Sequence, residues 1–217
     1  MKTADYSLYL VTDQDLCRGR DLVDTVMEAV AGGVTAVQIR EKNASARAFF
    51  QLALALKKRL AKQDVPLIIN DRVDVAVAAD ADGVHVGQTD LPAAQVREMI
   101  GPDKILGISI NTFEQMEEAA RNQVDYLSLS PVFPTPTKTD TTEPFGISGL
   151  KKARTLTRLP LITIGGVNLE NIHEIMSTGL DGVALVSAIC SADSPEQAAR
   201  TLAEKIRQAR ELRASGD

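Results

Sequence analysis

The segment Leu8-Tyr9-Leu10-Val11-Thr12-Asp13-Gln14-Asp15 decides the fold. Leu8–Val11 is nearly continuous in apolarity, as expected of a strand buried on both faces of a parallel sheet. It runs directly into Thr12-Asp13-Gln14-Asp15. A doubly wound sheet that binds a dinucleotide usually carries a Gly-x-Gly-x-x-Gly turn after its first strand, and none is present here. Asp21–Ala31 then places Leu22, Val26, Ala29 and Val30 on one side of a helix. The unit is a buried strand followed by an amphipathic helix.

That unit recurs along the chain. Further apolar runs lie at Ala36–Ile39, Leu67–Ile69, Gly83–Val86, Ile105–Ile110, Tyr126–Leu129, Leu161–Ile164 and Gly182–Val186. Helical periodicity occupies Ala46–Leu60, Thr112–Arg121, Ser148–Thr157, Leu169–Thr178 and Pro195–Leu212, with weaker patterns at Val73–Ala79 and Pro92–Ile100. Asn111, Asn168 and Ser194 read as helix caps, and Gly32-Gly33 and Gly179 as helix ends. Eight strand–helix units predict an α/β fold, a single (β/α)8 TIM barrel spanning residues 1–217. It is a trimmed form of an architecture whose usual size is about 250 residues. An open doubly wound sheet is the alternative.

Composition narrows the function. The chain has 217 residues, 44% of them hydrophobic and 24% charged, with a net charge of -5. This suits one globular domain and excludes the basic surface of a general nucleic-acid binder. Aromatic residues make up only 4% and tryptophan is absent, so a base-stacking platform is not expected. No apolar run approaches the roughly 20 residues that span a bilayer, and Met1–Tyr6 lacks the apolar core of a signal peptide. Cys17 and Cys190 stand far apart in sequence and read as reduced thiols of a cytoplasmic protein.

In a barrel of this kind the active site is built where the strands end, at their C-terminal face. Gln38-Ile39-Arg40-Glu41-Lys42 ends the second strand, and alternation points Gln38, Arg40 and Lys42 the same way. Two cations and an amide suit a polyanion; a solvated strand end neutralised by Glu41 is the other reading. Asn70-Asp71-Arg72 ends the third strand, and Gly87-Gln88-Thr89-Asp90 the fourth. Either Asp71 or Asp90 alone can cap a helix. The pair in adjacent units, opposite several cations, points to Mg2+ held by one or two carboxylates with phosphate oxygens and water. Ser109 ends the fifth strand.

The sixth strand leads into Ser130-Pro131-Val132-Phe133-Pro134-Thr135-Pro136-Thr137-Lys138-Thr139, three prolines stiffening a loop of hydroxyls and one lysine. Gly165-Gly166 ends the seventh strand. Val186-Ser187 ends the eighth at the start of a short helical turn. Together these two ends make a backbone phosphate cradle. His85, in a buried strand, reads as a satisfied core histidine or a catalytic one; His173 reads as surface or packing. Neither has the Ser or Cys partner of a hydrolase triad. A diphosphate region beside Arg40, Lys42 and Lys138 and a monophosphate region near Gly166 and Ser187 imply two phosphorylated substrates joined with loss of pyrophosphate. One bisphosphorylated substrate is the alternative.

With those residues in view, the chain resembles the thiamine-phosphate synthase family. The matching segments are Tyr9–Asp13, Gln38–Lys42, Ile69–Arg72, Gly83–Asp90, Gly107–Ser109, Pro134–Lys138, Ile164–Val167 and Val186–Ile189, in order along essentially the whole chain. The resemblance implies a (β/α)8 barrel that couples hydroxymethylpyrimidine diphosphate to a thiazole phosphate. It assigns Gln38, Arg40, Lys42, Asn70, Ser109 and Lys138 to the pyrimidine diphosphate, with Ile39 and Glu41 in the same stretch. Among these, Arg40, Lys42, Ser109 and Lys138 are the expected catalytic residues. Thr135, Pro136, Thr137, Gly166, Val186 and Ser187 fall to the thiazole phosphate, and Asp71 and Asp90 to one Mg2+ per subunit. Thr89 departs from the family, which commonly has an acidic residue there; Asp90, the expected ligand, is present. The expected partners are the two small-molecule substrates, with no nucleic acid and no membrane. A thiazole tautomerase and a non-catalytic phosphometabolite sensor are the competing readings. Oligomeric state leaves no mark on the sequence.

Overall fold

The computed structural model describes residues 4–134 and 143–215. Within them eight parallel strands close into a barrel in chain order, β8 pairing back onto β1. The strands are β1 (Leu8–Val11), β2 (Ala36–Ile39), β3 (Leu67–Asn70), β4 (Gly83–Val86), β5 (Ile105–Ile110), β6 (Tyr126–Leu129), β7 (Leu161–Thr163) and β8 (Gly182–Leu185). Around them lie α1 (Leu22–Ala31), α2 (Ala46–Leu60), α3 (Val73–Ala78), α4 (Ala93–Ile100), α5 (Phe113–Ala119), α6 (Gly146–Leu156), α7 (Ile172–Ser177), α8 (Ser187–Cys190) and α9 (Pro195–Ser215). A 3-10 turn, Asp15–Cys17, follows β1. Among the described residues no helix is long and apolar enough to cross a membrane.

Strand residues alternate between two cores. Leu8, Leu10, Val37, Ile39, Leu67, Ile69, Leu127 and Leu129 point outward into the layer between strands and helices. Tyr9, Val11, Ala36, Ile68, Ile105, Tyr126, Ile162 and Ala184 fill the barrel interior. Burial on both sides is why the strands read as unbroken apolar runs.

The opposite end of the barrel, away from the strand C-termini, shows a fourfold device. The residue just before each even-numbered strand takes a backbone N–H from the start of the preceding strand. Thr35 Oγ1 accepts from Leu8 N at 3.1 Å, and Asp82 Oδ2 from Leu67 N at 3.0 Å. Asp125 Oδ2 accepts from Leu106 N and Asp181 Oδ2 from Leu161 N, both at 2.7 Å. These side chains satisfy strand-start donors that the ladder leaves open.

Helix caps differ from the sequence reading at two places. Asn111 does not cap α5. Thr112 does, as half of a capping box in which Gln115 Oε1 accepts from the Thr112 and Asn111 backbone N–H groups. Asn111 instead donates through Nδ2 to Ser130 O at 2.7 Å, tying β5 to β6. Asn168 Oδ1 accepts from Glu170 N and Asn171 N in a turn of its own, so α7 begins at Ile172 rather than Leu169. Ser194 caps α9 as expected, accepting from Gln197 N at 3.2 Å.

Candidate active site

A cavity of about 500 Å3 opens at the C-terminal ends of the strands. Gln38, Arg40, Lys42, Asn70, Asp71, Asp90, Ser109, Gly166, Val186 and Ser187 all line it. They come from six of the eight strand ends, and only barrel closure brings them together. Two residues of the predicted stretch point elsewhere. Ile39 is fully buried in the outer core, because it alternates with Gln38 and Arg40. Glu41 does not line the cavity. Its Oε1 is buried with no hydrogen-bond partner among the described residues. Burial, then the charges of Asp13 and Asp15, push its carboxyl above the usual range, against the pull of Arg40. Thr135, Pro136, Thr137 and Lys138 lie outside the described residues.

Arg40 is set by its neighbours. Thr12 N donates to Gln38 O at 2.9 Å, and Thr12 Oγ1 accepts from Arg40 N at 3.1 Å. The first loop thereby fixes the second strand end. Asp71 has a left-handed backbone, φ 60°, which a side chain rarely adopts. Its N–H donates to His85 O at 2.8 Å, holding the chain in that turn. The Asp71 carboxyl is pushed up to about 6, chiefly by burial and then by the adjacent Asp90 carboxyl, while Lys42 opposes the shift. Asp90 Oδ2 accepts from Gly87 N at 2.7 Å, which fixes its direction.

Gly166 has φ +75°, and a Cβ there would stand 2.7 Å from Phe133 Cβ. Only glycine lets this turn pass so close to the segment after β6. Asn171 Nδ2 donates to Gly166 O at 2.8 Å and pins it. Across the mouth, Ser187 and Ala188 open the single turn of α8 and line the cavity. The first amides of a helix have no partner within it, so this corner offers N–H donors to an anion.

Sequence reasoning gave no site role to Tyr9, Thr12, Asn111 and Ser128, which also line the cavity, as does Ser130 at the head of the proline-rich segment. One of them had a signal. Ser128 interrupts an apolar strand and pairs in register with Ser109. His85 is buried, its ring between Tyr126 and Ser109, while His173 is exposed on α7.

The family model for thiamine monophosphate synthase matches residues 8–189. The chain belongs to that family. Thiamine-phosphate synthase from Vibrio campbellii is 55% identical over 199 residues, covering 91% of this chain and 96% of that protein. The Alkaliphilus oremlandii thiamine-phosphate synthase is 50% identical over 205 residues, covering 94% and 98%. Among solved structures, thiamine phosphate pyrophosphorylase from Pyrococcus furiosus superposes with a TM-score of 0.87 at 35% identity, covering 95% of this chain and 98% of that one. A 3-hexulose-6-phosphate synthase, at 17% identity and a TM-score of 0.68, shares the fold alone. The chain is an enzyme, a transferase of the thiamine-phosphate synthase class. The tautomerase and sensor readings draw no support from these relatives.

Proposed function

We propose that this enzyme joins 4-amino-2-methyl-5-hydroxymethylpyrimidine diphosphate to 4-methyl-5-(2-hydroxyethyl)thiazole phosphate, or its carboxylated form, giving thiamine phosphate and pyrophosphate. The observation that carries the reading is one cavity with two anion-binding corners: Arg40, Lys42, Asp71 and Asp90 on one side, Gly166 and Ser187 on the other. Pyrimidine diphosphate fits the first and a monophosphate the second. On the family pattern Lys138 joins the first, and Thr135 and Thr137 the second.

Asp71 and Asp90 fit a hard divalent cation. Their carboxyls are so close that ionising both is disfavoured without a positive partner. They would hold Mg2+, which when bound neutralises diphosphate charge.

The remaining chemistry belongs to the chain. Departure of the diphosphate leaves a pyrimidine methylene cation, stabilised by the amino-pyrimidine ring, and the thiazole nitrogen attacks that carbon. No protein nucleophile is required. Arg40 and Lys42 meet the charge that builds on the leaving group as its C–O bond breaks. Gln38, Asn70 and Ser109 orient the pyrimidine, and the filled barrel floor beneath excludes water from the cation. Two unpaired thiols, Cys17 and Cys190, suit the reducing cytoplasm as the compartment.

The test is turnover of the purified protein with both substrates and Mg2+, following thiamine phosphate by chromatography and pyrophosphate by a coupled assay. Equal appearance of both products is expected. Isomerisation of a thiazole phosphate without pyrophosphate would establish the tautomerase reading instead.

A further inference from the structure

At the floor of the cavity, five side chains from β1, β2, β4, β5 and β6 form one hydrogen-bonded chain across the barrel. Gln38 Nε2 donates to Tyr9 Oη at 3.0 Å. Tyr9 Oη lies 2.8 Å from Tyr126 Oη, which lies 2.8 Å from His85 Nδ1. His85 Nε2 lies 2.8 Å from Ser109 Oγ. Both tyrosines are fully buried and His85 nearly so. The chain begins and ends on residues assigned to the pyrimidine diphosphate, but its middle three members have no assigned part.

The direction of the protons follows from the first bond. The Gln38 amide fills one acceptor position on Tyr9, and the neighbour available to the Tyr9 proton is Tyr126 Oη. Tyr126 then gives its proton to His85 Nδ1. The His85 hydrogen therefore sits on Nε2 and is donated to Ser109 Oγ. Run the other way, Tyr126 would donate to Tyr9 and leave the buried Tyr9 proton with no side-chain acceptor in the network, and an unpaired buried donor is costly. Burial holds both phenols far above their ordinary range, so both keep their protons.

We infer that His85 is a positioning residue: Tyr9 and Tyr126 fix it as the Nε2–H tautomer, and it turns the Ser109 hydroxyl proton into the cavity. Ser109 is thereby a committed donor to an acceptor atom of the pyrimidine diphosphate, a phosphate oxygen or a ring nitrogen. A free hydroxyl would divide its time between accepting from substrate and donating to it. One fixed in advance needs no reorientation when charge develops on the leaving group. Naming the substrate rests on the reading proposed above; the proton direction does not.

Two measurements test the inference. The protein has two histidines, so a His173→Gln background labelled with 15N-histidine reports His85 alone. Long-range 15N–1H correlation spectra should show a neutral ring with its hydrogen on Nε2, and a loss of that preference in Tyr126→Phe. A hydrogen on Nδ1, or a charged ring, in the unaltered network would overturn the inference without reference to activity. For kinetics, Tyr126→Phe should lower kcat about tenfold, or ~1.4 kcal/mol, with KM for both substrates nearly unchanged. The same change in a Ser109→Ala background should cost nothing further, because the chain acts only through that hydroxyl. His85→Gln, which can still present an N–H to Ser109, should keep more kcat than His85→Ala. Additive losses from Tyr126→Phe and Ser109→Ala would show that the tyrosine acts through general packing, and would overturn the inference. If the tautomer is as expected but no thiamine phosphate forms, the proposed reaction fails and the proton direction stands.

Discussion

The ring of Tyr126 occupies the space that a side chain on Gly107 would need. A methyl group there would stand 2.0 Å from Tyr126 Cζ and 2.4 Å from its Oη. The two residues are ladder partners, so β5 gives up a side chain to let β6 lay a phenol across the barrel. Gly107→Ala should therefore cost about 1–3 kcal/mol, the usual penalty of overpacking. Urea unfolding would measure the loss as a lower midpoint at constant m. Because the displaced hydroxyl is the one that meets His85, kcat should fall with it. A variant as stable and as active as the parent would mean that the ring has another rotamer open to it.

Asp71 gives the metal-free protein a pH dependence of definite sign. Its folded pKa of about 6 lies above the ordinary 3.8, so the folded state holds the proton more tightly than the unfolded chain. The stability linked to this group is present in full below the unfolded value and lost as pH rises through about 6. Asp71→Asn should raise the melting temperature near neutral pH without metal, and the gain should vanish by about pH 4. Adding Mg2+ should reverse the ranking. The parent gains, by about 2.7 kcal/mol at a hundredfold excess over Kd, and the variant does not. Thermal unfolding with and without chelator across this range checks both halves. The same result with Mg2+ for parent and variant would remove Asp71 from the metal site.

Asp125 should matter for stability and not for turnover. Its carboxylate accepts from Leu106 N and from Arg97 Nη2 at 2.6 Å, and both partners of the pair are largely shielded. Asp125→Ala leaves a backbone donor unpaired and a guanidinium short of one acceptor. The expected cost is about 2–3 kcal/mol, below that of a fully buried pair because Arg97 also donates to Gly101, Lys104 and Gln123 carbonyls. Chemical denaturation should show it, with kcat/KM for the two substrates holding to within about twofold.

Ser187→Asp should raise KM for the thiazole phosphate by about tenfold or more and leave the pyrimidine diphosphate KM nearly unchanged. It sets a carboxylate at the mouth of the single turn of α8, where an anion is to bind. Steady-state kinetics with each substrate varied in turn would separate the two. Unchanged thiazole KM would move the monophosphate corner elsewhere.

The barrel was legible because its strands are buried on both faces. Leu8–Val11, Ala36–Ile39 and Gly83–Val86 read as strands even with Gln38 and His85 in two of them, and their bounds match the structure. Caps were less legible where two candidates stood side by side. Asn111 and Thr112 are both good caps, and the choice was made by a third group, the Ser130 carbonyl, reached only across the sheet. The outline of the site was readable from strand-end chemistry, since Gln38, Arg40 and Lys42 share a parity that Ile39 does not. The proton chain was not. A tyrosine in a buried strand counts as core, and Tyr9 meets Tyr126 across 117 positions of sequence only when the barrel has closed.

Closure itself sets a schedule for synthesis. β1 pairs with β8 through Leu8–Leu10, and Arg20, in the loop after β1, donates to the carbonyls of Cys190, Ala192 and Asp193 just beyond it. On the ribosome, β1 emerges with the hydrogen-bonding edge that β8 will occupy still bare. At about 5–20 residues per second, the roughly 170 residues between them take on the order of 10–30 s to appear. Through that interval a four-residue apolar strand has an unguarded side, open to pairing with another chain.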